Sequence, residues 1–287
     1  MNANAQTLPE PLKLRLQTHF GVPRLPFRKA MGYDEMFDSR VQRELLQGLQ
    51  MWSDLHGLAL VTGPSGAGKS ITARRFARGL DEARFRIVYI RHARSTLTGF
   101  LRSLNRALDL PMRQHAADLF DQAHRHLTAA APDRGPHPLL VLDDAEAMRP
   151  EQFDILRRLT NYALDAEDRF SILIAGTDSV LRTLKDPSLE PFNTRLSFVA
   201  SLKAFTLEDT RNYVRYQLHQ AGAADTLFTE DAVRRLFNAS KGIPRRINQI
   251  ALQAMMDAAV RGLDDIKGDA MQRVIAAHPL YDAPGGP

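Results

Sequence analysis

Short, unbroken apolar runs alternate through the first two thirds of the chain with stretches in which apolar residues recur every three or four positions. The runs at 58–62, 86–90, 139–142, 170–175 and 196–202 predict five strands. Between them, Val41, Leu45, Leu49 and Trp52 predict a helix opened by Ser39, and 71–80 predicts a second. Leu97, Leu101, Leu104 and Leu108 predict a third that ends before Pro111. Helices at 116–130 and 151–164 follow, the latter presenting Phe153, Leu156, Leu159 and Ala163. Near-continuous apolar strands alternating with helices predict an α/β fold, a parallel sheet covered on both faces. From Thr206 the pattern is purely helical, at 206–220, 229–239, 244–261 and 268–277, which predicts a small all-α domain. Thr206 with Asp209 has the form of a capping box, with Asp in place of the usual Glu or Gln.

These patterns predict an α/β domain over 18–204 and a helical lid over 205–278. Residues 1–17, with Pro9, Pro11 and leucines 12, 14 and 16 alternating with Lys13 and Arg15, read as a flexible arm or short edge strand. Residues 279–287 read as a Pro/Gly tail with nothing to bury.

One loop adds chemistry. Gly63, Pro64, Ser65, Gly66, Ala67, Gly68, Lys69 and Ser70, with Ile71 next, join the first strand to a helix in the pattern G-x-x-x-x-G-K-[ST]. Backbone N–H groups of such a loop and the positive end of the helix cradle polyphosphate. Lys69 can reach the β- and γ-phosphates, and the Ser70 hydroxyl can ligate Mg²⁺. The apolar strand 139–142 ends in Asp143, placed to hold Mg²⁺ directly or through water. Asp144 is placed to polarise a water for attack on the γ-phosphate, and Glu146 is its possible substitute. Asp is one methylene shorter than the Glu common at that position, so slow hydrolysis is expected. ATP and Mg²⁺ are the expected ligands.

Composition narrows the setting. The 287 residues contain no cysteine, which excludes disulfides and thiolate metal sites. No run approaches the roughly eighteen apolar residues of a membrane span, and the polar N-terminus lacks a signal peptide's apolar core. A cytoplasmic protein without membrane contact is expected. The net charge of +5 says little alone, but residues 84–115 carry seven arginines against the single acid Asp109, more net charge than the whole chain. Arg102 and Arg106 share one helix face away from the leucines, and Arg91 and Arg94 lie in the loop at a strand end. These four are the candidate contacts to double-stranded DNA.

The phosphate loop, the strand ending at Asp143-Asp144, the polar strand end at Thr177 and the helical C-terminal part together resemble the AAA+ ATPases. Two further stretches are similar to a narrower group, the ExeA-type ATPases and their transposition relatives of the TniB/TnsC/MuB kind. They are Phe20-Gly21-Val22-Pro23-Arg24-Leu25-Pro26-Phe27 and Gly242-Ile243-Pro244-Arg245-Arg246-Ile247-Asn248. The resemblance implies that Thr177 senses the γ-phosphate and that Arg245, or Arg246 beside it, reaches the phosphates from the lid. It implies that Arg195 is an arginine finger donated to a neighbouring subunit, and that 20–27 lines the adenine pocket unless it only packs.

Three functions stay open. A bacterial, DNA-associated transposition regulator would form a ring or helical filament on DNA with ATP and recruit a transposase, with or without a target-selection protein. An ExeA-type secretion ATPase would be expected to add a membrane segment and an envelope-facing part, and neither follows the lid here. A nucleotide switch or scaffold would act on protein partners alone.

Overall fold

The computed structural model describes residues 10–28, 36–91, 96–129, 135–162 and 168–278. The chain divides into two compact units: residues 40–203, and the N-terminal stretch to residue 39 together with everything from residue 204.

The first unit is the α/β layer structure. Helix α2 (Arg40–Leu55) precedes β1 (Leu58–Thr62), and α3 (Lys69–Arg78) leads to β2 (Phe85–Arg91). Helices α4 (Leu97–Ala107) and α5 (Ala116–Thr128) connect to β3 (His137–Asp143). After α6 (Pro150–Thr160) come β4 (Ser171–Ala175), the short helices α7 (Ser179–Thr183) and α8 (Glu190–Asn193), and β5 (Leu196–Ser201). All neighbouring strands pair in parallel in the order β2-β3-β4-β1-β5. The three central strands β1, β3 and β4 are buried on both faces, which is why their sequences show no alternation. Leu60, Leu140 and Ile174 face Phe100, Leu104 and Phe153 on one side of the sheet. Val61, Val141 and Leu173 face Leu49, Trp52 and Phe76 on the other. Parallel strands send every carboxyl end to one edge, so the turns after β1, β3 and β4 lie side by side there.

Two stacked histidines and a serine close the opposite edge. His137, at the start of β3, stacks on His56 with ring centroids 4.0 Å apart and places Nε2 2.9 Å from the Ser171 hydroxyl. Burial and the neighbouring His56 push the His137 pKa down from 6.5 to about 4. His56 is itself lowered by burial, with Arg84 lowering and Asp168 and Asp54 raising it. Between about pH 6.5 and 4 the unfolded chain therefore binds more protons than the folded one, and stability is lost as pH falls through that window. Allowing for partial exposure of the ring, the loss is about 2 kcal/mol. His137→Gln should flatten the acid limb of a pH series of denaturant melts relative to wild type; parallel limbs would show that His137 does not contribute.

The second unit is helical. Its C-terminal part holds α9 (Leu207–Ala221), α10 (Glu230–Ser240), α11 (Pro244–Arg261) and α12 (Gly268–Ala277) around Leu218, Leu236, Ile247, Ile250, Met255 and Met271. The capping box forms with the shorter acid: Thr206 N–H donates to Asp209 Oδ2 at 3.0 Å, and Asp209 N–H donates to Thr206 Oγ1 at 3.1 Å. Two expectations are corrected. Residues 10–17 of the expected flexible arm lie in helix α1 (Glu10–Phe20), because Leu12, Leu16 and Phe20 recur every four positions beneath the apparent alternation. Leu16 is buried in this helical unit while Leu14 is left exposed. Residues 18–28 and 36–39, expected in the α/β domain, also belong to the helical unit. Phe27 packs edge-on against Phe228, and its N–H donates to Gln217 Oε1 at 3.2 Å, so this end of the Phe20-to-Phe27 segment packs within the helical unit. Ala130, Ala163 and the tail at 279–287 lie outside the described residues.

Candidate nucleotide site

The phosphate loop is built by two close approaches. Leu202 N–H donates to Thr62 O at 2.8 Å, drawing the end of β5 alongside the exit of β1. The backbone of Leu202 then lies so near Gly63 that a Cβ there would sit 2.3 Å from the Leu202 carbonyl oxygen. Gly63 also has φ +146°, so glycine alone fits. Gly68, at φ +108°, turns the chain into α3, and no side chain caps that helix start. The first N–H groups of α3 thus face the loop together with the positive end of the helix, an arrangement that suits an anion. Lys69 is buried, and its Nζ donates to the carbonyls of Gly63 at 2.9 Å and Pro64 at 3.0 Å, spanning the loop. Ser70 is half-buried in the first turn of α3.

The two adjacent strands complete the edge. Asp143 ends β3 half-buried, and its Oδ1 accepts the Asp144 N–H at 3.0 Å. Asp144 has left-handed backbone, φ 57°, and is exposed. Left-handed geometry in a non-glycine residue is uncommon, and Asp is among the residues that tolerate it. It leads into a single 3₁₀ turn, Ala145–Ala147. Glu146 does not point into solvent alone: its Oε2 accepts the Thr177 N–H at 3.0 Å. The Thr177 hydroxyl lies 2.8 Å from that of Ser179. Asp143, Asp144, Glu146 and Thr177 are therefore gathered in two touching turns after β3 and β4, and β4 is the neighbour of the loop-bearing β1.

The remaining candidates stand elsewhere. Arg195 precedes β5 and so lies at the strand-start edge, opposite the loop. Its Nη1 donates to Arg157 O at 3.3 Å and Thr160 Oγ1 at 3.0 Å, capping the end of α6 in its own subunit. Arg245 and Arg246 are both exposed in the first turn of α11, in the helical unit. In the same stretch Asn248 has a structural contact: its Oδ1 accepts from the Tyr213 hydroxyl at 2.9 Å. Arg102 and Arg106 are exposed on α4, opposite its buried Phe100, Leu101 and Leu104. Arg84 is paired with Asp54 at 2.8 Å and Arg113 bonds Gln122, so part of the basic segment is answered locally. Arg94 and the side chain of Arg91 lie outside the described residues.

Sequence reasoning missed Gln42. This amide is buried on α2, 3.3 Å from where a Gly68 Cβ would stand, and helps fix the loop's distance from α2. The signal available was a polar residue next to Val41 at the start of an apolar stripe.

A five-stranded parallel sheet of this order, with a Gly-rich loop and lysine after β1 and an acid ending β3, is an α/β P-loop fold of the kind that binds nucleotide phosphates. Residues 53–184 match the family model described as an AAA domain. Over 246 residues the chain is 29% identical to the general secretion pathway protein A of Aeromonas hydrophila, covering 85% of this chain and 45% of that protein. The chain thus spans less than half the length of this relative. Among solved structures it is similar to Cdc6p from Pyrobaculum aerophilum, with TM-score 0.69 and 18% identity over 87% of this chain and 69% of the other. The Drosophila ORC bound to DNA gives 0.67 and 16% over 96% and 69%. The Aeropyrum pernix ORC1 protein in complex with DNA gives 0.64 and 17% over 85% and 66%. At these identities the structural likeness concerns the fold.

Proposed function

We propose that this chain is an ATP-dependent DNA-binding regulator of DNA transposition, which oligomerises on double-stranded DNA with ATP and recruits a transposase. The observation that carries the DNA part is the pair Arg102 and Arg106. Both are exposed one turn apart on α4, and neither has a hydrogen-bond or ion-pair partner among the described residues. Unpaired guanidiniums on one face suit phosphate oxygens without reading sequence. Arg91 and Arg94 extend the same stretch of chain. Two of the solved neighbours are DNA complexes, which supports the same direction.

In this reading the loop 63–70 and the start of α3 bind the triphosphate, and Lys69 moves from the loop carbonyls to the phosphates. Ser70 and Asp143 supply the two oxygen donors that suit Mg²⁺, an ion that keeps waters and takes its remaining ligands from phosphate. Asp144 orients the attacking water, Thr177 contacts the γ-phosphate, Arg245 binds phosphate oxygens, and Arg195 serves a neighbouring subunit. The short Asp144 makes hydrolysis slow, a timer on assembly.

A second reading, a secretion-associated ATPase, is favoured by the 29% identity to the secretion pathway protein. Salt-titrated DNA binding separates the two. With a non-hydrolysable ATP analogue, the slope of log affinity against log salt should become shallower by about 2 in the double variant Arg102→Ala/Arg106→Ala, equally on unrelated sequences. An unchanged slope counts against these contacts, and no DNA binding by the wild type favours the secretion reading.

A further inference from the structure

The geometry points to Glu146 as a positioning residue that ties the acidic turn to the sensing strand, not as a water-polarising acid. This rests on the reading of Asp143, Asp144 and Thr177 as the hydrolytic edge of the site.

Three contacts lead to it. First, the 3₁₀ turn Ala145–Ala147 is fixed at both ends, Ala147 N–H donating to Asp144 O at 3.1 Å and Met148 N–H to Ala145 O at 3.0 Å. Its middle residue is therefore held at a set distance from Asp144. Second, Glu146 Oε2 accepts the Thr177 N–H at 3.0 Å, which engages the carboxylate with the turn after β4. Third, the two turns are in close contact at Gly176. A Cβ on Gly176 would lie 3.2 Å from the Glu146 nitrogen and 3.2 Å from the Ala145 Cβ. Gly176 N–H in turn donates to Val61 O at 3.1 Å, one residue before the strand gives way to the loop.

The result is a continuous backbone path: Asp144, the 3₁₀ turn, the Glu146 carboxylate, the Thr177 amide, Gly176 and β1. Thr177 is held at both polar groups, its amide by Glu146 and its hydroxyl beside Ser179. Without the carboxylate contact the Thr177 turn loses this bond to the acidic turn, and its hydroxyl loses its fixed distance from Asp144. A displacement of that order at a reacting centre costs turnover more than binding.

An acceptor oxygen, and not a charge, is what this role needs. Glutamine keeps an acceptor of nearly the same reach, whereas a residue that polarises water needs the carboxylate. E146A and E146Q therefore discriminate. In E146A, kcat for ATP hydrolysis should fall roughly tenfold with KM within about twofold of wild type; E146Q should restore most of it. In nucleotide-free protein, hydrogen exchange at the Thr177 amide should speed up by roughly tenfold in E146A and stay near wild type in E146Q. E146Q as inactive as E146A, with Thr177 exchange unchanged, would overturn the assignment in favour of an acid at the reacting water. Wild-type turnover and exchange in E146A would overturn it outright. The exchange arm needs no turnover, so a wild-type protein that binds ATP without hydrolysing it would strike the hydrolytic reading and leave Thr177 exchange to decide this one.

Discussion

Lys69→Ala is expected to weaken ATP binding by at least a hundredfold, about 3 kcal/mol, the upper range for charge-assisted hydrogen bonds to one cation. The cause lies in the loop's own electrostatics. In the structure, the Lys69 ammonium is buried and held on the Gly63 and Pro64 carbonyls. Those carbonyls point into the same hollow that must accept a polyanion, and the ammonium is the charge that makes the hollow hospitable. A triphosphate can take over the ammonium with little movement, exchanging neutral acceptors for anionic ones. Removal of the ammonium takes away the loop's own cation and leaves, within the loop, only the helix start to answer the charge. The fold should tolerate the change at a cost of about 1 kcal/mol for two lost contacts to carbonyls. Calorimetry reads the affinity and a melt reads the fold; equal affinity in a folded variant would contradict the assignment of the loop.

Gly242→Ala is expected to destabilise the helical unit by about 3 kcal/mol or more. Gly242 has φ +69°, and its carbonyl accepts the Phe205 N–H at 2.9 Å. The two backbones meet so closely that a Cβ would lie 2.1 Å from the Phe205 carbonyl oxygen, and backbone cannot swing aside as a side chain can. Left-handed strain alone costs about 1–2 kcal/mol, and the clash adds to it. Gly262 is the internal control. It has nearly the same φ, +67°, but nothing within 4 Å of its would-be Cβ, so Gly262→Ala should show the strain without the clash. Denaturant midpoints of the two variants should differ clearly at similar slopes. Equal midpoints would mean that the close approach at Gly242 has no energetic weight.

How much of this was legible beforehand depended on the kind of signal. The central strands announced themselves because β1, β3 and β4 are buried on both faces, and the four C-terminal helices by their stripes, with capping threonines 206 and 229 opening the first two. The loop at 63–70 and Asp143 were legible because phosphate binding constrains residue type at fixed spacing. Helix α1 was not, since Leu12, Leu14 and Leu16 satisfy a period of two and of 3.6 in part, and only tertiary burial of Leu16 decides. Nor was the packing of Phe27 against Phe228, two hundred residues apart in sequence, or the bond between Glu146 and Thr177. Such pairings arise from topology, which brings β3 and β4 side by side although Glu146 and Thr177 are 31 positions apart. Arg195 illustrates the same limit. Its likeness to an arginine finger is read from its place before β5, while its bonds to Arg157 and Thr160 at the end of α6 leave no signal in the sequence.

The central claim is that nucleotide state governs assembly on DNA. Electron microscopy of the full chain with double-stranded DNA, comparing a non-hydrolysable ATP analogue with ADP, tests it most directly. The account predicts rings or helical filaments on DNA with the analogue and dispersed protein with ADP. Monomers in both states, with the analogue shown to be bound, would contradict it.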